Sequence, residues 1–440
     1  MRNKIAGIPI RTFFVYLVLL LLFFEGFLIA YIPFGNYIDE FVSLLVVFVG
    51  LCLVLLRRVK ISLKSSLVLL FSFLFVLFGL IGNNRTHYQD SRFAIFADIL
   101  SCLKFIIISS WFYLLLRKDN CKKIQTFFGF LSRLMIIGVF VFAFFNLFIQ
   151  VGQYSGTRYG IRSFSFFLGD NGGYLSYFLY PVSICFLGSL HLFRNQKKSN
   201  LILSLLLLLD FCSTLQTRGI IFGLLIFFLF FLSCQKKKFS KPAIFAFLVL
   251  FCLAFFLIGK DKLLSTFSNI NHPRFLLFET GFNIFMDNMP LGSGFATFGT
   301  AQSTSSYSKS YILYGLSSSW GFEPGDSLFT SDDFWPAVMG QTGLLGLICY
   351  IILLLLVLDY PKFKVMNRNN KAIFFFAYFV LFSSSLGTSS FFNFYGVTIP
   401  AFLAVFSFPI KAPKPLGEQS KKAPLLNIKN KSIVIKQRFN

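Results

Sequence analysis

A few ionisable residues stand where an apolar chain has least reason to carry charge. Arg218 lies in the run Leu-Gln-Thr-Arg-Gly at 215–219, a short turn that opens an apolar segment. The positive end of a helix dipole falls there, so a cation adds like charge to like. An anion removes the conflict, because an arginine fork and free helix N–H groups both suit phosphate. The competing reading is a side chain snorkelling to lipid phosphate. Arg274 likewise opens a run of helical periodicity. Asp332 and Asp333 stand together just before another apolar segment, with Asp326 shortly upstream. Acidic residues cap helix starts well. Three exceed that need, which leaves room for a general base or a substrate-binding carboxylate. Arg158 and Arg162 precede an Asp-Asn-Gly-Gly turn at 170–173. They suit a loop element facing a polar cavity, or a plain connection.

The elements that must position these residues are membrane spans. Hydrophobic residues make up 56% of the 440 and charged residues 13%, a balance no soluble domain has. Twelve apolar segments, 13–32, 38–56, 65–82, 93–116, 134–150, 172–193, 201–215, 219–234, 242–259, 335–358, 371–388 and 391–410, approach the ~20 residues that cross a bilayer. The first follows Arg2, Lys4 and Arg11 but lacks a small-x-small cleavage site, so it reads as an uncleaved span. With the N-terminus inside, 31 of the 41 Lys and Arg residues fall in inner segments and 9 in outer ones, with Lys104 inside a span. That asymmetry places both termini in the cytoplasm and makes the +24 net charge topological, with some attraction to anionic membrane lipid and no need of nucleic acid. Eleven of the 17 acidic residues, Asp39 and Glu40 among them, read as external, while Glu25, Asp98 and Asp210 lie within spans. Asp98 and Lys104 are six apart on one helix, wrong for a mutual pair, so each snorkels or takes a partner on a neighbouring helix.

The organisation expected is spans 1–9 over residues 1–259, an external loop over 260–334, spans 10–12 over 335–410 and a basic cytoplasmic tail over 411–440. In the loop, Phe275, Phe278, Phe282, Phe285 and Met289 share one helical face opposite Thr280, Asn283 and Asp287, which predicts a helix lying on the outer leaflet. Pro290, Gly292 and Gly294 end it in a turn. The hydroxyls and aromatics from Thr300 to Trp320 suit sugars, or a flexible loop. The eight cysteines are scattered singly, the three histidines lack metal spacing and no P-loop is present. ATP-driven transport and zinc chemistry are therefore disfavoured.

Four pieces in order resemble the bacterial O-antigen, capsule and exopolysaccharide polymerases and the related O-antigen ligases. They are Arg162 with its Asp-Asn-Gly-Gly turn, the Thr-Arg-Gly around Arg218, Arg274 followed by Pro-Leu-Gly-Ser-Gly at 290–294, and Ser-Asp-Asp-Phe-Trp-Pro at 331–336 leading into a Gly-rich span. The ligases typically carry His at the last element. Asp332 and Asp333 stand there instead, which favours a polymerase. The resemblance implies an all-α polytopic fold of about twelve transmembrane helices, similar to C-type glycosyltransferases, with no metal or other cofactor. It implies a bacterial plasma (inner) membrane enzyme that joins undecaprenyl-pyrophosphate-linked oligosaccharide repeats at the outer face, with flippase and chain-length regulator proteins as partners. Arg158, Arg162, Arg218, Arg274 and Asp326 would bind that substrate, and Asp332 or Asp333 would act on the acceptor hydroxyl. A ligase and a carrier of lipid-linked oligosaccharide are the alternatives. The absence of a repeat between the two halves weighs against the carrier.

Overall fold

A computed structural model describes the chain except residues 1–3, 6–7, 57–61, 117, 153, 159, 170–171, 235–270, 326–327, 331, 359–365, 367 and 408–440. The predicted span 242–259, Asp326, the whole of the tail and the first residues of the predicted loop thus lie outside the described residues. The helices are α1 (Ile10–Phe23), α2 (Glu25–Tyr31), α3 (Ile38–Leu55), α4 (Leu63–Thr86), α5 (Arg92–Trp111), α6 (Lys118–Asn146), α7 (Gly172–Ser189), α8 (Lys197–Ser213) and α9 (Thr217–Cys234). They continue with α10 (Pro273–Asp287), α11 (Ala301–Ser305), α12 (Lys309–Leu313), α13 (Phe334–Leu358), α14 (Arg368–Ser384) and α15 (Tyr395–Ser407). Two antiparallel hairpins accompany them, β1 (Lys4–Ile5) with β2 (Ile8–Pro9) and β3 (Tyr154–Arg158) with β4 (Ile161–Phe164).

Among the described residues six helices are long and apolar enough to cross a membrane, or seven if α1 and α2, bent by 63° at Phe24, count as one broken span. The chain is a multi-pass membrane protein. Its outward apolar side chains agree, with Phe48 65% and Phe73 63% exposed on helices that no water-soluble surface would tolerate in such number. Helix ends follow local chemistry. Ser62 caps α4 by accepting from the Ser65 amide at 3.2 Å, and Ser91 caps α5 by accepting from the Ala94 amide at 3.2 Å.

The segment Leu291–Phe298 is no simple turn. Its backbone is inserted among α4, α5 and α13, and side chains of those helices take up its polar groups. Asn83 both donates to the Phe295 carbonyl and accepts from the Phe295 amide, each at 2.8 Å. Asp98 accepts from the Ala296 amide at 2.6 Å, Gln89 donates to the Ala296 carbonyl at 2.9 Å and Gln341 to the Phe298 carbonyl at 2.8 Å. The Ser293 and Gly294 amides donate to the carbonyls of Gly340 and Gln341 at 2.9 and 2.7 Å. Such closeness requires glycine: a Cβ on Gly294, whose φ is +100°, would lie 2.4 Å from Asn83. Asp98 therefore takes the inserted backbone as a partner beside Gln341 on the neighbouring helix α13.

Two further expectations change. Asp39 and Glu40 are not free, solvent-facing carboxylates. They occupy the first turn of α3 and pair with Lys104 on α5, Asp39 almost fully buried. A lysine inside a span recruits carboxylates because an unpaired charge in hydrocarbon is costly. Helix α10 forms as predicted, started by the His272 cap and Pro273, but it is turned differently. Gly281 lets α13 approach so closely that an added Cβ would sit 2.7 Å from Pro336. Leu277, Thr280, Gly281 and Ile284 are buried there, while Phe278 and Phe282 are exposed. Beyond the insertion, residues 300–320 are not a loose loop. Tyr311 packs with Leu277, Ile284, Phe298, Leu316 and Phe322 in a second small core, and its hydroxyl accepts from the Gly299 amide at 2.9 Å.

Replacing Gly294 by alanine should cost about 3 kcal/mol or more, from left-handed backbone strain and overpacking together. Gly138, where a Cβ meets nothing within 4 Å, should accept alanine with unchanged or raised melting temperature. Thermal denaturation of both variants in detergent checks the pair.

Candidate functional site

Arg218 is the second residue of α9 and Arg274 the second of α10. Each begins a helix whose free amides already carry positive potential, so both cations sit where an anion is needed. The fold brings these two helix starts together. Arg218 Nη2 donates to the Gly387 carbonyl at 2.8 Å, and Arg274 Nη2 reaches the same oxygen at 3.4 Å. Arg274 also pairs with Asp332 Oδ2 at 3.4 Å. Among the described residues, Arg274 Nε is buried without a hydrogen-bond partner. A guanidinium is a planar donor fork, and this one is only partly used.

Gly387 belongs to the irregular stretch between α14 and α15, where two continuous spans with a minimal turn had been expected. Helix α14 ends at Ser384 and α15 begins at Tyr395. Non-helical backbone among apolar helices persists only where its groups are satisfied or face a polar cavity. Here the Ser390 hydroxyl donates to the Leu381 carbonyl at 2.8 Å, and the Thr388 hydroxyl bonds the Tyr395 hydroxyl at 2.8 Å. Trp335 on α13 donates from Nε1 to Ser385 Oγ at 3.1 Å, which fixes this stretch against the residues that follow Asp333. An alanine Cβ at Gly387 would lie 3.1 Å from Arg218 Nη2 and 3.6 Å from Arg274 Cζ, so the two guanidinium groups crowd this position.

Asp333 completes the cluster. Burial pushes its carboxyl up to about 7, opposed by the Arg274 and Arg218 charges and reinforced by Asp332. The carboxyl is thus poised to gain or lose a proton near neutrality, the property a general base requires. Below its pKa the four groups carry a net charge of about +1, which favours an anion. Underneath, Tyr177 of α7 stacks on Tyr395 at 4.6 Å, and both lie within electrostatic reach of Arg218 and Asp332.

Of the residues singled out in the sequence, the structure brings together Arg218, Arg274, Asp332 and Asp333. Arg162 is exposed on β4, and Arg158 lies on the paired strand β3, in register with Ile161. Arg162 is not among the described groups that meet at Gly387. Gly387, Thr388, Tyr177, Tyr395 and Trp335 were missed. The available signal was the run Ser-Ser-Ser-Leu-Gly-Thr-Ser-Ser at 383–390, too polar to lie inside a continuous span.

The raised Asp333 pKa has a defined consequence. Between its ordinary value near 3.8 and about 7, the folded protein binds more protons than the unfolded chain. Stability therefore falls as pH rises through that window. Asp333→Asn should remove this part of the pH dependence of the melting temperature, whereas an unaltered profile would place the proton elsewhere. Compared with protein-family models, curated proteins and solved structures, the chain matches none, so the functional reading rests on these residues.

Proposed function

We propose that the protein is a glycosyltransferase of the polysaccharide-polymerase kind, joining undecaprenyl-pyrophosphate-linked oligosaccharide repeats at the outer face of the bacterial plasma membrane, through about twelve spans. The observation that carries this reading is the convergence of Arg218 and Arg274, each at a helix start, on one carbonyl beside Asp332 and Asp333. The acceptor hydroxyl attacks the anomeric carbon of the donor sugar and gives its proton to Asp333. The bond from that carbon to the pyrophosphate oxygen breaks, and the lipid pyrophosphate leaves with the electron pair. Arg218 and Arg274 stabilise the charge that grows on the leaving oxygen. Asp332 holds Arg274 in place until the pyrophosphate enters between them. The linkage energy drives the step, so the reaction calls for no nucleotide.

One feature favours a second reading. The break between α1 and α2 lies beside the buried Lys104 cluster, and broken spans with buried charge are the mark of carriers. A carrier would move lipid-linked oligosaccharide across a sealed bilayer without changing its length.

Purified protein in lipid nanodiscs, given lipid-linked repeats, should make polymer. Arg218→Ala and Arg274→Ala should each lower the rate by about 100-fold or more, the scale for loss of one charge-stabilising group. Arg274→Lys should recover only part, because an ammonium cannot reproduce the fork. Insertion and melting should stay near wild type. Polymer at the wild-type rate from either alanine variant contradicts the assignment, as does transport in vesicles without elongation.

A further inference from the structure

A second buried polar cluster lies apart from Gly387. Lys104 on α5 pairs with Asp39 and, at 2.8 Å, with Glu40, both on α3. Ser101 adds a hydroxyl donor to Glu40 at 3.2 Å. Glu25, at the break between α1 and α2, is fully buried and lies within electrostatic reach of Asp39, Lys104 and Glu40. Among the described residues, the Thr398 hydroxyl of α15 donates to its Oε2 at 3.2 Å. Its other oxygen, Oε1, is buried with no hydrogen-bond partner among the described residues.

The charges do not balance. Three carboxyl groups face one ammonium, so full ionisation would leave two uncompensated negative charges among apolar helices. Desolvation of that kind costs several kcal/mol per ion even after relaxation. The single lysine is already shared by Asp39 and Glu40. Glu25 has a neutral hydroxyl for a partner and two acids nearby. We infer that Glu25 is an intramembrane proton-binding site, holding an exchangeable proton at the α1–α2 break while Asp39 and Glu40 share Lys104. The proton makes Oε1 or Oε2 a donor and removes the largest unpaired charge. Thr398 lies one helical turn beyond Tyr395, whose hydroxyl bonds Thr388 beside Gly387. The proton on Glu25 is thereby joined by a single helix, α15, to the arginine cluster. This inference stands whether the protein elongates or transports glycan.

Infrared difference spectroscopy of the full chain in lipid nanodiscs at neutral pH tests it. The carboxylic C=O stretching band should shift in D2O, and Glu25→Gln, which mimics the protonated group in shape and charge, should remove one such band with little loss of thermal stability. If Glu25→Gln does not fold, Glu25→Asp keeps the carboxyl and should displace the same band in frequency. A spectrum with no band assignable to position 25 overturns the proposal. So does a band that is lost when sodium or potassium chloride is raised, which would make the site one for a monovalent cation.

Discussion

Backbone that leaves the helical path among apolar helices must have its amides and carbonyls paired, and the stretch Leu291–Phe298 meets that demand with side chains and with the backbone of α13. Asn83 closes a two-way bond with Phe295, Asp98 holds the Ala296 amide, and Gln89 and Gln341 donate to the carbonyls of Ala296 and Phe298. This pinning fixes the connection that follows α10 against α4, α5 and α13. It sets α10 against α13 through Gly281 and Pro336. It therefore sets Arg274, at the start of α10, against Asp332 and Asp333, just ahead of α13. The removal of water from these bonds strengthens them and makes any unpaired member costly. The Asp98 carboxyl, within a predicted span, is a structural acceptor for the Ala296 amide.

The arginine–aspartate cluster works by the opposite logic. Its members are incompletely satisfied: one carbonyl oxygen serves two guanidinium groups, one Arg274 nitrogen is left over, and Asp333 sits in surroundings that resist its charge. Helix dipoles at α9 and α10 add potential of the same sign as the arginines. An anion placed between the two guanidinium groups would meet favourable potential from both. Rigid packing beneath, where Tyr177 stacks on Tyr395, keeps the groups in position before any substrate arrives.

Much of this was legible in the sequence, for physical reasons. The asymmetric lysines and arginines and the recurrent apolar segments mark a multi-pass membrane chain, because bilayer thickness and charge cost leave few other outcomes. Arg218 stood out because it opposes a helix dipole, Arg274 because it opens a periodic segment, and the adjacent aspartates because with Asp326 they exceed a cap. Long-range partners were hidden. Nothing local shows that Asp39 and Glu40 meet Lys104, since their place at the head of an apolar segment looks external. Nor does a Gly-Ser-Gly run announce that it is threaded between helices and not exposed in a turn. The polar run at 383–390 was the legible clue to the missing wall of the site, outweighed by the apolar residues on both sides.

The central claim is that Arg218 and Arg274 together receive a lipid pyrophosphate. Native mass spectrometry of the wild-type protein and the two alanine variants with undecaprenyl pyrophosphate and undecaprenyl monophosphate measures it most directly. The account predicts that the wild type retains the pyrophosphate far better than the monophosphate and that each variant loses that preference while staying folded. Equal retention of the two lipids by the wild type, or an undiminished preference in both variants, would contradict it.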